Sequence, residues 1–209
     1  MKLQIAIDLT EMGKALCLAE KVKDIVDIVE IGTPLIIKEG MHPVRALKSK
    51  FPELCVLADT KIMDGGAIEC HDACEAGADI VTVLALADQA TITEVVKTAH
   101  AAGKQVLADL IGVDDLAAKA QLCLTLGVDL IGVHTGVDRQ KQGGTPLKDL
   151  TLLAEKIDPS KIAVAGGVSL QTIDDYVRLK PGIIIAGSAL YNAADIKQAA
   201  LAMKGRLRK

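Results

Sequence analysis

Asp59-Thr60-Lys61-Ile62-Met63-Asp64 places a lysine between two acids, directly after the apolar run Leu54-Cys55-Val56-Leu57-Ala58. On a strand, residues two apart share a face, so Asp59 and Lys61 are expected to project together. A neighbouring carboxylate favours the ammonium form, and Asp64 is placed to add to that effect. A lysine held charged is a poor amine nucleophile but a good support for a developing oxyanion. A surface ion pair at a strand end has the same local signature. The surrounding sequence has to decide between them.

Other polar residues close apolar runs in the same way: Asp8, Glu30, Asp109 and His134. Glu30 and Asp59 end neighbouring runs, so their carboxylates can converge. With no thiol or second imidazole nearby, the expected occupant is a hard cation with oxygen ligands, Mg²⁺. The plain alternative is two carboxylates sharing hydrogen bonds with Lys61. Asp8 belongs to the same polar cluster. His134 is the one near-neutral titrating group there and so the candidate for moving a proton, unless it is a buried, hydrogen-bonded core histidine.

Gly166-Gly167 and Gly187-Ser188 follow two late apolar runs, and Ser188-Ala189-Leu190-Tyr191 can begin a short helix. Backbone N–H groups there would cradle a phosphate, or the glycines merely allow tight turns. With Asp109 they form the expected substrate-binding set. The polar stretch from Asp138 to Pro146 is either a lid or a solvated connection. Together these parts point to enediolate chemistry: a polarised carbonyl, a carbon-bound proton removed, and Lys61 steadying the anion. A Schiff base is disfavoured, because Lys61 stands among acids.

The elements that must position these residues are legible as a rhythm. β-Branched runs begin near Leu3, Ile28, Leu54, Asp79, Lys104, Asp129, Lys161 and Gly182. Helical patterns lie between them at 11–22, 41–50, 67–76, 90–102, 116–126, 147–156, 170–179 and 193–207. Glycines 77, 103, 127 and 182 stand where helices should end. Near-continuous apolar strands alternating with helices imply a parallel sheet covered by helices. Eight such units fit one (β/α)₈ TIM barrel over residues 1–209, rather than an open sheet, since no G-x-G-x-x-G follows the first strand. In a barrel the chemistry sits at the C-terminal strand ends, where the acids, Lys61 and His134 fall.

Composition narrows the partners. Half of the 209 residues are apolar, aromatics make up 1%, and the net charge is −3. Stacking platforms for single-stranded nucleic acid are almost lacking, and the basic tail 204–209 most simply complements a helix end. No nucleic acid and no membrane partner is expected. The first residues meet Asp8 before any signal-peptide core forms, and five cysteines without a C-x-x-C pair suit reduced thiols, so a cytoplasmic setting is expected.

Asp8, Glu30-Ile31-Gly32-Thr33-Pro34, Glu39-Gly40, the stretch Leu57 to Gly66 and the two glycine turns resemble the orotidine 5′-monophosphate decarboxylase superfamily over essentially the whole chain. Ala108-Asp109-Leu110-Ile111-Gly112-Val113 and His134-Thr135-Gly136-Val137-Asp138-Arg139-Gln140 are similar to its hexulose-phosphate synthase branch. That resemblance implies a Mg²⁺-dependent, reversible aldol condensation of formaldehyde with D-ribulose 5-phosphate, giving D-arabino-hex-3-ulose 6-phosphate. It implies Glu30 and Asp59 as metal ligands, Lys61 at the enediolate and His134 as proton carrier. Gly166, Gly167, Gly187 and Ser188 would hold the phosphate. The counterpart of Asp64 reaches into the neighbouring subunit's site, which implies a homodimer.

A sister branch decarboxylates 3-keto-L-gulonate 6-phosphate. It typically carries arginine three positions after the histidine, where Val137 stands here, and glutamate in place of Asp109. Both departures favour the aldolase, and nearby Arg139 keeps the sister reaction as the alternative. A non-catalytic sugar-phosphate-binding barrel is the second alternative; pure binding needs no such clustering of unlike charges. Orotidine decarboxylation itself is metal-free and would give Glu30 no part.

Overall fold

The computed structural model describes residues 1–207; Arg208 and Lys209, part of the basic tail, lie outside the described residues. Eight strands run parallel and close in sequence order: β1 (Lys2–Ile7), β2 (Ile28–Ile31), β3 (Cys55–Ile62), β4 (Ile80–Leu84), β5 (Gln105–Asp109), β6 (Leu130–His134), β7 (Ile162–Ala165) and β8 (Ile183–Ala186). The helices are α1 (Met12–Val22), α2 (Thr33–Glu39), α3 (His42–Lys50), α4 (Gly66–Glu75), α5 (Gln89–Ala101), α6 (Leu116–Thr125), α7 (Val137–Gln140), α8 (Leu147–Ala154), α9 (Ile173–Val177), α10 (Ser188–Tyr191) and α11 (Ile196–Arg206). The expected barrel architecture is the observed one. No helix among the described residues is long and apolar enough to cross a membrane.

Period-two alternation makes two cores. Inward residues Ala6, Ile28, Leu57, Ile80, Leu107, Ala163, Ile183 and Ile185 fill the barrel. Outward residues such as Ile5, Val29, Val56, Val81, Val106, Ile131, Val164 and Ile184 meet the helices. Strands buried on both faces must be apolar throughout, which is why the runs read so clearly. Each fully buried aliphatic side chain contributes about 1.5–3 kcal/mol. The helices bury matching stripes. In α5, Ile92, Val95, Val96 and Ala99 follow the i, i+3, i+4, i+7 pattern of one helical face. Asp115 and Asp195 start α6 and α11 by accepting the N–H groups of Ala118 and Gln198.

Three expectations are corrected. The helix expected over 170–179 is shorter, Ile173–Val177, because Ser169 and Thr172 hold the preceding residues in side-chain turns. Helix α2 was not anticipated; it fits between Gly32 and Gly40, with Pro34 in its first turn. Gly77, Gly103 and Gly127 do take positive φ after their helices, but Gly182 does not; Lys180 adopts the left-handed conformation there. Gly182 is small for a different reason, since a Cβ would lie 2.0 Å from the Ser160 carbonyl oxygen.

Candidate active site

β3 carries the centre of the site and departs from regular pleating to do so. Ala58 pairs with Val81 and Ile62 with Val83, so β3 advances four residues while β4 advances two. Lys61 sits in this bulge at φ 49°, a conformation few non-glycine residues adopt. Its N–H donates to Thr82 Oγ1 at 2.9 Å, and Thr60 Oγ1 donates to the Thr82 carbonyl at 2.7 Å. Lys61 does meet Asp59, but the bulge aims it rather than simple alternation. Its ammonium contacts Asp59 Oδ2, donates to Thr33 Oγ1 at 3.2 Å and lies 3.7 Å from Asp109 Oδ2. Burial works to lower the Lys61 pKa, and the Asp59 and Asp109 carboxylates outweigh it, so the amine is held protonated.

Asp59 is buried and fully engaged. Thr82 Oγ1 donates to its Oδ1 at 2.9 Å and Thr33 Oγ1 to its Oδ2 at 2.7 Å. Glu30, on the inner face of β2, is also buried, and its one side-chain partner is the amide of Gln4, 2.5 Å from Oε2. Burial, then the charges of Asp59 and Asp8, push the Glu30 carboxyl well above its ordinary range. Asp8 follows β1 at the open mouth of the barrel and is exposed, yet surrounding protein mass and Asp59 still push its carboxyl upward.

Asp109 and His134 form a second pair on the opposite side of the lysine. β5 and β6 align Asp109 with Gly132, which sets His134 two residues further along the same face. His134 Nδ1 stands 2.9 Å from Asp109 Oδ2, and the Ile111 N–H donates to Oδ1 at 2.9 Å. Burial opposes ionisation of Asp109, but the imidazole, Lys61 and the Ile111 N–H hold its carboxyl below the usual value. Asp109, expected in the substrate-binding set, makes its contacts here with His134 and Lys61. Gly132 leaves room for the alignment: a Cβ would lie 2.8 Å from Leu107.

The structure brings together Asp8, Glu30, Asp59, Lys61, Asp109 and His134. It does not bring Asp64 to them. Asp64 is exposed and accepts the Gly65 N–H at 2.7 Å. The turn that carries it leads into α4. The glycine turns end β7 and β8 at the same rim. Gly166 has φ 113° and passes so close to Thr135 that a Cβ would lie 2.6 Å from its carbonyl oxygen. The N–H groups of Gly166, Gly167 and Ser188 meet no acceptor among the described residues. A Cβ on Gly187 would come within 3.7 Å of Asp8 Oδ2, so this turn borders the acidic cluster. The stretch after His134 folds as α7, tied down by Gln140 Nε2 to the Thr135 carbonyl at 2.6 Å. Val137 and Arg139 are exposed on it.

Thr33, Thr82 and Gln4 were missed from sequence. Thr82 and Gln4 were findable as polar residues at inward positions of apolar strands; Thr33 becomes visible only once α2 is recognised.

The donors around Glu30 and Asp59 are carboxylate oxygens, with acids outnumbering Lys61. Such a set suits a hard divalent cation. Among the described residues, no three His, Cys, Asp or Glu side chains converge as a ready-made metal cage. Two carboxylates are enough for an ion that keeps several non-protein ligands.

A closed barrel whose strand ends crowd four carboxylates around one lysine and a histidine defines an enzyme of the family it matches. Residues 1–203 match the Orotidine 5′-phosphate decarboxylase / HUMPS family, and the chain belongs to it. It is 43% identical over 204 residues to the 3-hexulose-6-phosphate synthase of Bacillus subtilis, covering 98% of this chain and 97% of that one. The crystal structure of 3-hexulose-6-phosphate synthase from Salmonella typhimurium superposes with a TM-score of 0.96 at 45% identity, over 100% of this chain and 99% of that one. A 3-keto-L-gulonate-6-phosphate decarboxylase from Vibrio cholerae is more distant, with TM-score 0.87 and 31% identity over 99% of this chain and 97% of that one.

Proposed function

We propose that this chain catalyses the 3-hexulose-6-phosphate synthase reaction, the reversible aldol condensation of formaldehyde with D-ribulose 5-phosphate. The observation that carries this reading is Lys61, a charged ammonium set between Asp59 and Asp109, with Asp109 in turn on His134. That arrangement supports an anion and moves a proton beside it, which is what an aldol reaction through an enediolate requires. The names of the relatives select the reaction within the family.

Asp109 orients His134 through Nδ1, which leaves Nε2 to take the proton from C1 of the pentulose phosphate. The charge moves to the C2 oxygen, where Lys61 stabilises it. C1 then bonds to the formaldehyde carbon, and the formaldehyde oxygen takes up a proton to give D-arabino-hex-3-ulose 6-phosphate. Asp59 keeps Lys61 protonated, so no imine forms. Gly166, Gly167, Gly187 and Ser188 hold the phosphate by backbone N–H groups. Glu30 and Asp59 hold a divalent cation, Mg²⁺. When bound, that ion supplies Lewis-acid polarisation of the carbonyl and its neighbouring hydroxyl.

Asp64 serves the partner's site in a homodimer. Its exposure, together with apolar Ile37, Met63 and Ile68 uncovered on the same βα segments, supports this assignment. The protein works in the cytoplasm.

The test offers formaldehyde with ribulose 5-phosphate, and separately 3-keto-L-gulonate 6-phosphate. Condensation in the first without CO₂ from the second is expected. CO₂ release without condensation transfers the chain to the sister reaction. Saturable binding without turnover makes it a binding barrel, and full turnover in excess chelator removes the metal.

A further inference from the structure

Gln4 is completely buried inside the barrel, where its register partners on β2 and β8 are Ile28 and Ile185. One layer above, Ala6 aligns with Glu30. The Gln4 amide reaches up and donates to Glu30 Oε2 at 2.5 Å. Its other end gains nothing: Gln4 Oε1 is the buried side-chain oxygen left without a partner among the described residues. A leucine or methionine would fill this apolar layer without stranding an oxygen, so packing does not explain a glutamine here.

We infer that Gln4 is a positioning residue that fixes Glu30 for the divalent cation. The inference rests on the metal-dependent reading above. Glu30 faces Asp8 and Asp59, both carboxylates, so without a tether its preferred direction is away from them. Lysine in this layer would tether it and also neutralise it. A neutral amide anchors one oxygen and leaves the full negative charge for the ion. Asp59 shows the contrast, since its Oδ2 is spent on Lys61 and Thr33. Glu30 therefore carries more of the uncompensated charge that attracts a cation, and Gln4 sets where that charge points.

The experiment measures Mn²⁺ binding to the substrate-free protein by electron paramagnetic resonance, with thermal melts in chelator, for wild type, Gln4→Met and Gln4→Leu. Loss of an outer partner of a metal ligand typically weakens metal binding by about 10–100-fold. A weakening of that size is expected in both variants, with the metal-free melting temperature equal to or above wild type. Unchanged Mn²⁺ affinity in whichever variant folds overturns the inference, as does a lower melting temperature with unchanged affinity. Wild type that binds no Mn²⁺ overturns it together with the metal reading, whereas binding retained in the variants leaves that reading standing.

Discussion

Both ends of this barrel carry a ring of acids, and they are wired in opposite ways. At the N-terminal end, Asp27, Asp79 and Asp129 each stand one residue before an even-numbered strand. Each accepts the backbone N–H of the preceding odd strand: Leu3 at 2.6 Å, Val56 at 3.0 Å and Val106 at 2.8 Å. Each also has its own basic partner: Lys204 for Asp27, Lys48 and Lys104 for Asp79, and His100 for Asp129. At the C-terminal end, Lys61 lies between Asp59 and Asp109 and His134 sits on Asp109, while Asp8 and Glu30 have no ion-pair partner among the described residues. Acids with private donors clamp strands together. Acids without a cation of their own, Glu30 and Asp8, keep charge available for a ligand, which costs stability and supplies chemistry.

The sharpest way to break this contrast is at Lys61. Lys61→Ala is expected to lower kcat by at least about 10²–10³-fold, the cost of losing one oxyanion donor, while a cooperative thermal melt survives. A structural lysine would show the reverse, a lost melt with kcat retained. Subunit mixing is the next largest effect. Lys61→Ala and Asp64→Ala, each inactive alone, should regain about a quarter of wild-type activity when their subunits exchange, because half the dimers then hold one intact site of two. No recovery would return Asp64 to its own subunit.

At the other end the effects are on stability alone. Asp79→Ala removes an acceptor from the Val56 N–H and from two lysines, and should lower the unfolding free energy by about 1–3 kcal/mol at unchanged kcat, read from urea melts. The smallest effect is acid dependence. Burial opposes ionisation of Asp79, but the Val56 N–H and the Lys104 and Lys48 ammoniums lower its pKa below the ordinary carboxylate value. A carboxyl depressed in the folded state stabilises the protein above its unfolded pKa, about 3.9, and that stability is lost as pH falls through the folded value. Melts below about pH 4 should therefore fall less steeply for Asp79→Asn than for wild type. Identical slopes would show that Asp79 does not contribute.

Much of this was legible because strands buried on both faces leave continuous apolar runs. Strand starts read near Leu54, Lys104 and Lys161 fall at Cys55, Gln105 and Ile162. The residues gathered at the strand ends followed from that rhythm. What stayed hidden depends on register and backbone geometry. The Asp109–His134 pair needs β5 aligned with β6, which spacing along the chain does not reveal. The bulge at Lys61 leaves no mark in residue type, because lysine carries no preference for positive φ. Asp64 reads as a third member of one motif, yet its carboxylate is exposed and accepts the N–H of the left-handed Gly65 that begins the next turn. Helix α2 was lost to its brevity, seven residues between two glycines.

The aspartates at the barrel's base have a further consequence. Asp27, Asp79 and Asp129 recur at nearly equal intervals along the chain, one for each of the first three pairs of βα units, and each joins the two strands of its own pair. The scaffold is therefore stitched both within and across strand pairs: each aspartate holds a backbone N–H of its own pair, while its basic partners, Lys204, Lys48 and Lys104, and His100, come from other pairs. In the last pair Gly182 stands where the next aspartate would, and its carbonyl instead accepts the Lys2 N–H at 2.8 Å, joining the final pair to the first. A strand pair exchanged for that of a relative would keep its strand-to-strand clip but would have to match the basic partners left on its neighbours, so the base of the cylinder constrains recombination more than the mouth does.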